Sequence, residues 1–155
     1  MVNMNDKSKV VNLCSYPVSW KRITVIGDEY IKANASAYIV NSELESQKDS
    51  GNTFIAGTDE LGSHAEVYIE NPELREQFSF DNKEEKRVQL IVDDDKCKYI
   101  LDLKTPSSFK KNLTETIITN AEKIKMMNYA RKYKLNDYDK IQQLENHCSL
   151  KFKVE

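Results

Sequence analysis

The chain has little of the residues that loosen or staple a fold: 4 Gly, 3 Pro and 3 Cys in 155 residues. So few glycines and prolines exclude a collagen-like or linker-dominated chain. Cys14, Cys97 and Cys148 are odd in number, far apart, and include no Cys-x-x-Cys pair. That argues against a disulfide scaffold or a structural zinc site and points to a reducing compartment. No apolar run approaches the roughly 20 residues of a membrane span, and the polar, Asn-rich start does not read as a signal peptide. Net charge is also nearly absent, at −2. What remains is 39% hydrophobic and 31% charged residues, enough for one modest core.

The small total conceals an uneven distribution. Residues 1–58 hold 6 basic and 6 acidic side chains, residues 59–103 hold 6 and 13, and residues 104–155 hold 11 and 6. An acidic middle and a basic end imply either internal complementarity or two differently charged contact surfaces.

Residues 1–10 are polar and unpatterned, which predicts a flexible arm. Residues 11–80 read as a β-rich part. The run from Trp20 to Val25 is β-prone and stops at the turn pair Gly27-Asp28. Ile31, Ala33, Ala35, Ala37 and Ile39 recur at period two, the signature of a half-buried strand. Asn41 or Ser42 opens a short helix to about Lys48, with Glu45 completing a Ser42 capping box. Thr53–Ala56 and Ala65–Ile69 read as strands joined by residues 57–64. Asn71-Pro72-Glu73 opens a helix to about Gln77.

Residues 81–155 change to a period near 3.6. Asp81–Arg87 reads as a charged, flexible connector. Asp93-Asp94-Asp95 starts a helix with Cys97, Ile100 and Leu101 inward. Pro106 breaks that helix, Ser107 or Ser108 starts the next, and Thr119 or Asn120 opens a long one to about Leu135. Tyr138, Ile141, Leu144 and Cys148 form the stripe of a last helix. Leu150, Phe152 and Val154 alternate with lysines and suggest a terminal strand. The fold class is α+β: a small antiparallel sheet followed by a compact helical part, as one domain or two subdomains.

The chemistry-bearing clusters are better explained as structure. Gly57–Gly62 has phosphate-loop spacing, but Ser63-His64 follows where Lys-Ser is required. Asp59, Ser63 and His64 combine triad residue types, yet on one loop they fit a turn bonded to its own backbone. The three aspartates lack the alternation, glycine and distal glutamate of a calcium loop. His147 beside Cys148 is half of a metal site. Neither an enzyme, a metal nor a cofactor is expected.

Partner contact has better candidates. On the long helix, Ile117, Ala121, Ile124 and Leu135 fall on one side, and Met126, Tyr129, Ala130 and Tyr133 nearly opposite. A helix apolar on two sides is central in its own domain or shared with a partner. Because interfaces favour Met, Tyr and Arg, Met126, Tyr129, Arg131 and Tyr133 are the expected contact residues. Tyr16, Trp20 and Arg22 form a second group where the arm meets the first strand. The lysines around Tyr129 and Tyr133 also admit phosphate and base contacts, although Asp137–His147 lacks the cationic face of a recognition helix.

Three stretches resemble small proteins encoded among the structural genes of tailed phages of low-GC Gram-positive bacteria. They are Asn12-Leu13-Cys14-Ser15-Tyr16-Pro17-Val18-Ser19-Trp20, Phe54-Ile55-Ala56-Gly57-Thr58-Asp59 through His64-Ala65, and Lys134-Leu135-Asn136-Asp137-Tyr138-Asp139-Lys140-Ile141. The resemblance implies a non-enzymatic virion protein, capsid-decorating or head-associated, placed in the virion and in the host cytoplasm during assembly. Its partner would be a capsid protein, another virion protein or a second copy of the chain, with no membrane. The competing expectation is a small phage regulator that binds nucleic acid or a host protein through the basic C-terminal helices.

Overall fold

A computed structural model describes residues 2–81 and 91–153. The chain divides into two compact units, Met1–Ile91 and Val92–Glu155. The expected order, a small antiparallel sheet and then helices, is what the chain adopts.

The first unit is built around β1 (Lys7–Asn12), the middle strand of a three-stranded sheet. It pairs antiparallel with β4 (Ser36–Val40), Lys7 opposite Val40 and Val11 opposite Ser36. On its other side lies β5 (Val67–Ile69), with Val10 opposite Ile69 and Asn12 opposite Val67. A separate hairpin joins β2 (Val18–Lys21) to β3 (Asp28–Ile31), with Val18 opposite Ile31 and Lys21 opposite Asp28. Helices α1 (Asn41–Asp49), α2 (Thr53–Ala56) and α3 (Pro72–Gln77) complete the unit. Its core holds Val10, Ile39, Leu44, Ile55, Ile69 and Leu74, each 3% exposed or less.

The expected arm at residues 1–10 is instead tied down, because its inward positions are polar and satisfied by partners far along the chain. Ser8, Val10 and Asn12 all point inward, so two of the three buried positions carry no apolar signal. The Ser8 hydroxyl donates to Asn41 Oδ1, and Asn71 Nδ2 donates to Ser8 Oγ at 2.9 Å. The carbonyls of Asp6 and Met4 accept from Asn41 N (2.8 Å) and Ser42 N (3.0 Å). Those main-chain carbonyls take the first amides of α1, so Ser42 forms no capping box and Val40 stands at the cap without a side-chain bond.

Local turn chemistry interrupts one further expected strand, whose second half forms β4, and replaces another. The period-two run from Ile31 to Ile39 is interrupted after Ile31, where Ala35 N donates to Lys32 O (3.0 Å) and Asn34 takes φ 57°. Thr53–Ala56 is a helical turn because Asn52 Oδ1 accepts Phe54 N at 3.0 Å. Gly57 then permits the closure that follows. Its φ is 74°, and a Cβ there would lie 2.2 Å from the Ser63 carbonyl oxygen.

The second unit contains α4 (Asp94–Leu101), α5 (Pro106–Thr116), α6 (Asn120–Lys132) and α7 (Tyr138–Cys148). Each start is fixed by an adjacent side chain. Asp93 Oδ1 accepts Lys96 N (2.9 Å), Thr105 Oγ1 accepts Ser108 N (3.2 Å), and Asp137 Oδ1 accepts Lys140 N (3.2 Å). Thr119 and Glu122 form a reciprocal capping box on α6. Thr105 outcompetes the expected Ser107 and Ser108 because Pro106 takes the first helical position. The core contains Ile100, Phe109, Leu113, Ile117, Met127 and Leu144, each 1% exposed or less.

The terminal strand is not formed among the described residues, and Val154 lies outside them. After Ser149, at φ 56°, the tail is held by side chains instead of a strand partner. Arg131 Nε donates to Phe152 O (2.9 Å), its terminal nitrogens reach Lys151 O and Asn128 Oδ1, and Glu145 Oε2 accepts Phe152 N (3.0 Å). Of the expected connector Asp81–Arg87, only Asp81 falls within the described residues. Arg75, 3% exposed, grips it with two bonds of 2.8 and 3.0 Å and lies over the Tyr68 ring.

Candidate functional site: a pinned apolar hairpin tip

The β2–β3 turn presents three branched aliphatic side chains to solvent: Ile23 at 53%, Val25 at 58% and Ile26 at 100% exposure. Scattered exposed aliphatics are ordinary, but three within four residues form a contiguous apolar tip. The backbone underneath is closed by Arg22 N donating to Gly27 O at 2.9 Å, with Gly27 at φ 116°. Across the hairpin, Arg22 Nε pairs with Glu29 Oε2 at 2.9 Å.

What holds the tip is a carboxylate from another element. Glu43 of α1 is 3% exposed. Its Oε1 accepts from Ile23 N (2.8 Å), Thr24 N (3.1 Å) and the Thr24 hydroxyl (3.2 Å). Its Oε2 accepts from Gln47 Nε2 at 3.3 Å, and the same amide donates to Lys21 O at 2.8 Å. Gln47 Oε1 in turn accepts Asn52 Nδ2 at 3.0 Å. Glu43 and Gln47, four apart on one face of α1, therefore pin residues 21–24 from below. Burying a carboxylate is costly unless its oxygens are satisfied, and here main-chain amides of the turn supply that satisfaction. The tip is consequently preorganised, with its aliphatic groups held outward.

The seven residues expected at a partner surface separate into different roles. Trp20 is buried, 9% exposed, and stacks on Phe54 with ring centroids 5.8 Å apart, so it anchors the hairpin's base. Arg22 braces the tip. Tyr16 is half-buried, and its carbonyl accepts Asn12 Nδ2 at 2.9 Å. Burial, followed by the nearby Glu66 carboxylate, pushes its phenol up to about 12. Met126 has no exposed surface, which overturns its expected contact role. Helix α6 packs against both α4 and α7, so its second apolar side is covered within the unit. Arg131 is engaged by the tail carbonyls. Tyr129 and Tyr133 do stack near the surface, centroids 6.1 Å apart, and Tyr133 donates to Asp102 Oδ1 at 2.9 Å. That bond raises the Tyr133 pKa, while burial is the larger cause for Tyr129.

The remaining clusters behave as scaffold. Asp59 Oδ1 accepts Leu61 N (2.8 Å) and Ser63 N (3.1 Å), the self-bonded turn expected from the sequence. His64 is 7% exposed with φ 59°. His147 Nε2 bonds the Ile117 carbonyl at the end of α5. Burial pushes the thiols of Cys97 and Cys148 up to about 12 and about 11, away from the reactive thiolate. Among the described residues no group of three or more His, Cys, Asp or Glu side chains is arranged to hold a metal, and no helix is long and apolar enough to cross a membrane.

The tip itself escaped the sequence reading, which placed Ile23 and Val25 within a strand. Glu43 was equally silent, since its partners lie 19 and 20 residues away. The one available signal was Ile26 immediately before Gly27-Asp28, a large aliphatic residue in a turn. Comparisons with protein-family models, curated proteins and solved structures find no match to this chain.

Proposed function

We propose that the chain is a non-enzymatic assembly protein that docks on another protein by inserting the Ile23–Ile26 tip into an apolar pocket. The observation that carries this reading is the buried Glu43 carboxylate, which stabilises a conformation whose evident product is outward-facing aliphatic surface. Each such side chain contributes roughly 1.5–3 kcal/mol when fully buried on a partner, and a pinned turn loses little entropy on docking. The resemblance of three stretches to tailed-phage structural proteins supplies the setting: a capsid-decorating or head-associated role, with the capsid lattice as partner.

The direct test is co-sedimentation with empty heads of the phage that carries the gene, comparing wild type with Ile26→Asp. Ile26 touches solvent alone, so the variant folds as wild type. The reading expects wild type to pellet with heads and the variant to stay in solution. Equal behaviour of the two proteins would contradict it. Binding to duplex or single-stranded DNA that weakens steeply with salt, with no head binding, would favour the regulator reading instead.

A further inference from the structure

The second unit carries a groove that the hairpin reading does not use. It has a volume of about 870 Å3 and runs between α7 and the C-terminal tail, with Leu135, Tyr138, Ile141 and Phe152 as its apolar lining. It continues past Arg131 and Lys134 on one side, sharing Leu135, Asn136 and Phe152. On the other it continues past Gln142 and Asn146, sharing Glu145 and Lys151. A long open trough of this kind suits a chain segment better than a compact small molecule.

The wall formed by the tail is already in place. Arg131 holds the Lys151 and Phe152 carbonyls from α6, and Glu145 holds the Phe152 amide from α7. Glu145 accepts from a backbone amide within the wall and keeps its charge, but the same lining carries Arg131, Lys134, Lys151 and Lys153. Lys134, Lys151 and Lys153 are exposed at the rim and have no ion-pair partner among the described residues. Lys140, by contrast, is turned away to the Leu101 carbonyl at 2.6 Å. The groove thus combines an apolar floor with a lining in which four cationic side chains outnumber one carboxylate.

We infer that this groove binds an acidic peptide segment carrying one large apolar side chain, the apolar group on Leu135, Ile141 and Phe152 and the carboxylates toward Lys134, Lys151 and Lys153. The lysines supply steering and salt sensitivity, while the anchor supplies most of the residence time.

The experiment uses the full chain and a fluorescein-labelled heptapeptide, Asp-Glu-Asp-Phe-Glu-Asp-Glu, followed by fluorescence anisotropy in about 50 mM salt. Saturable binding is expected, weakened about tenfold or more by Lys151→Glu with Lys153→Glu, and similarly when the peptide's phenylalanine is replaced by alanine. Tyr138→Ala, at a position 71% exposed, should weaken binding without altering the fold. Phe152→Trp provides a second readout, its emission moving to the blue as the peptide covers it. Absence of binding to wild type would overturn the inference. So would equal binding of the alanine peptide, or displacement by single-stranded DNA as efficient as by unlabelled peptide, since either outcome reduces the groove to a general polyanion surface. Ile26→Asp should bind the peptide as wild type does, and the double lysine variant should leave head sedimentation intact. The failure of either reading is therefore visible separately from the other.

Discussion

The two units solve the same problem, satisfying backbone polar groups around a small core, by opposite means. In Val92–Glu155 every helix among the described residues is started by a residue at its own N-cap, Asp93, Thr105, Thr119 and Asp137, so the first-turn amides are satisfied locally around an apolar core cluster. In Met1–Ile91 the decisive polar groups reach far along the chain. Asn12 Nδ2 serves the carbonyls of Tyr16, Ile31 and Lys32, its Oδ1 accepts Cys14 N, Ser8 meets Asn41 and Asn71, and Glu43 meets Ile23 and Thr24. Recognition surfaces arise differently in the two cases. A locally capped bundle needs nothing outside itself, whereas buried polar pins can hold a turn in a shape that its own sequence does not prefer.

The largest effect that sharpens this contrast is expected from Phe109→Ala in the second unit. Phe109 has no exposed surface, and its truncation should destabilise the unit by about 3–5 kcal/mol through lost burial and the cavity left behind. Urea denaturation followed by helical circular dichroism measures it. In the first unit Asn12→Ala should cost about 2–3 kcal/mol with no comparable cavity, because three carbonyls and one amide lose their side-chain partner. A loss below about 0.5 kcal/mol would show that the long-range network contributes little to the first unit.

Glu43→Ala should cost about 1–3 kcal/mol and, more tellingly, accelerate hydrogen exchange at the Ile23 and Thr24 amides ahead of the rest of the hairpin. Unchanged exchange at those two amides would remove the pin. Thr119→Ala tests the other style of solution and should cost about 1 kcal/mol, confined to α6.

At neutral pH the smallest effect concerns Cys97. Its folded-state pKa, about 12, lies above the ordinary thiol value of 9. The unfolded chain therefore loses its proton first, and stability from this group is present below pH 9 and lost progressively from pH 9 toward about 12. Cys97→Ala should flatten that decline in pH-dependent melts, and at pH 8 the native thiol should react with aromatic disulfides only on unfolding.

The same contrast explains how much could be read in advance. The helices of the second unit were legible from their apolar stripes and from local starts such as Asp93 and Thr119, each accepting an amide three residues on. Pro72–Gln77 was legible for the same reason, with Asn71 Oδ1 accepting Leu74 N. The N-terminal strand was not, because Ser8 and Asn12 are buried through bonds to residues 19 to 63 positions distant, and their polarity imitates a solvated arm. Met126, expected at a contact surface, is buried for a related reason. A helix packed between two neighbours is apolar on two sides without needing any partner.

The measurement that bears most directly on the pinned tip is co-sedimentation of wild type, Ile26→Asp and Glu43→Ala with empty phage heads. The account predicts binding by wild type, none by Ile26→Asp, and weakened binding by Glu43→Ala, which keeps the aliphatic groups but releases the turn. Ile26→Asp pelleting with heads as fully as wild type would contradict it.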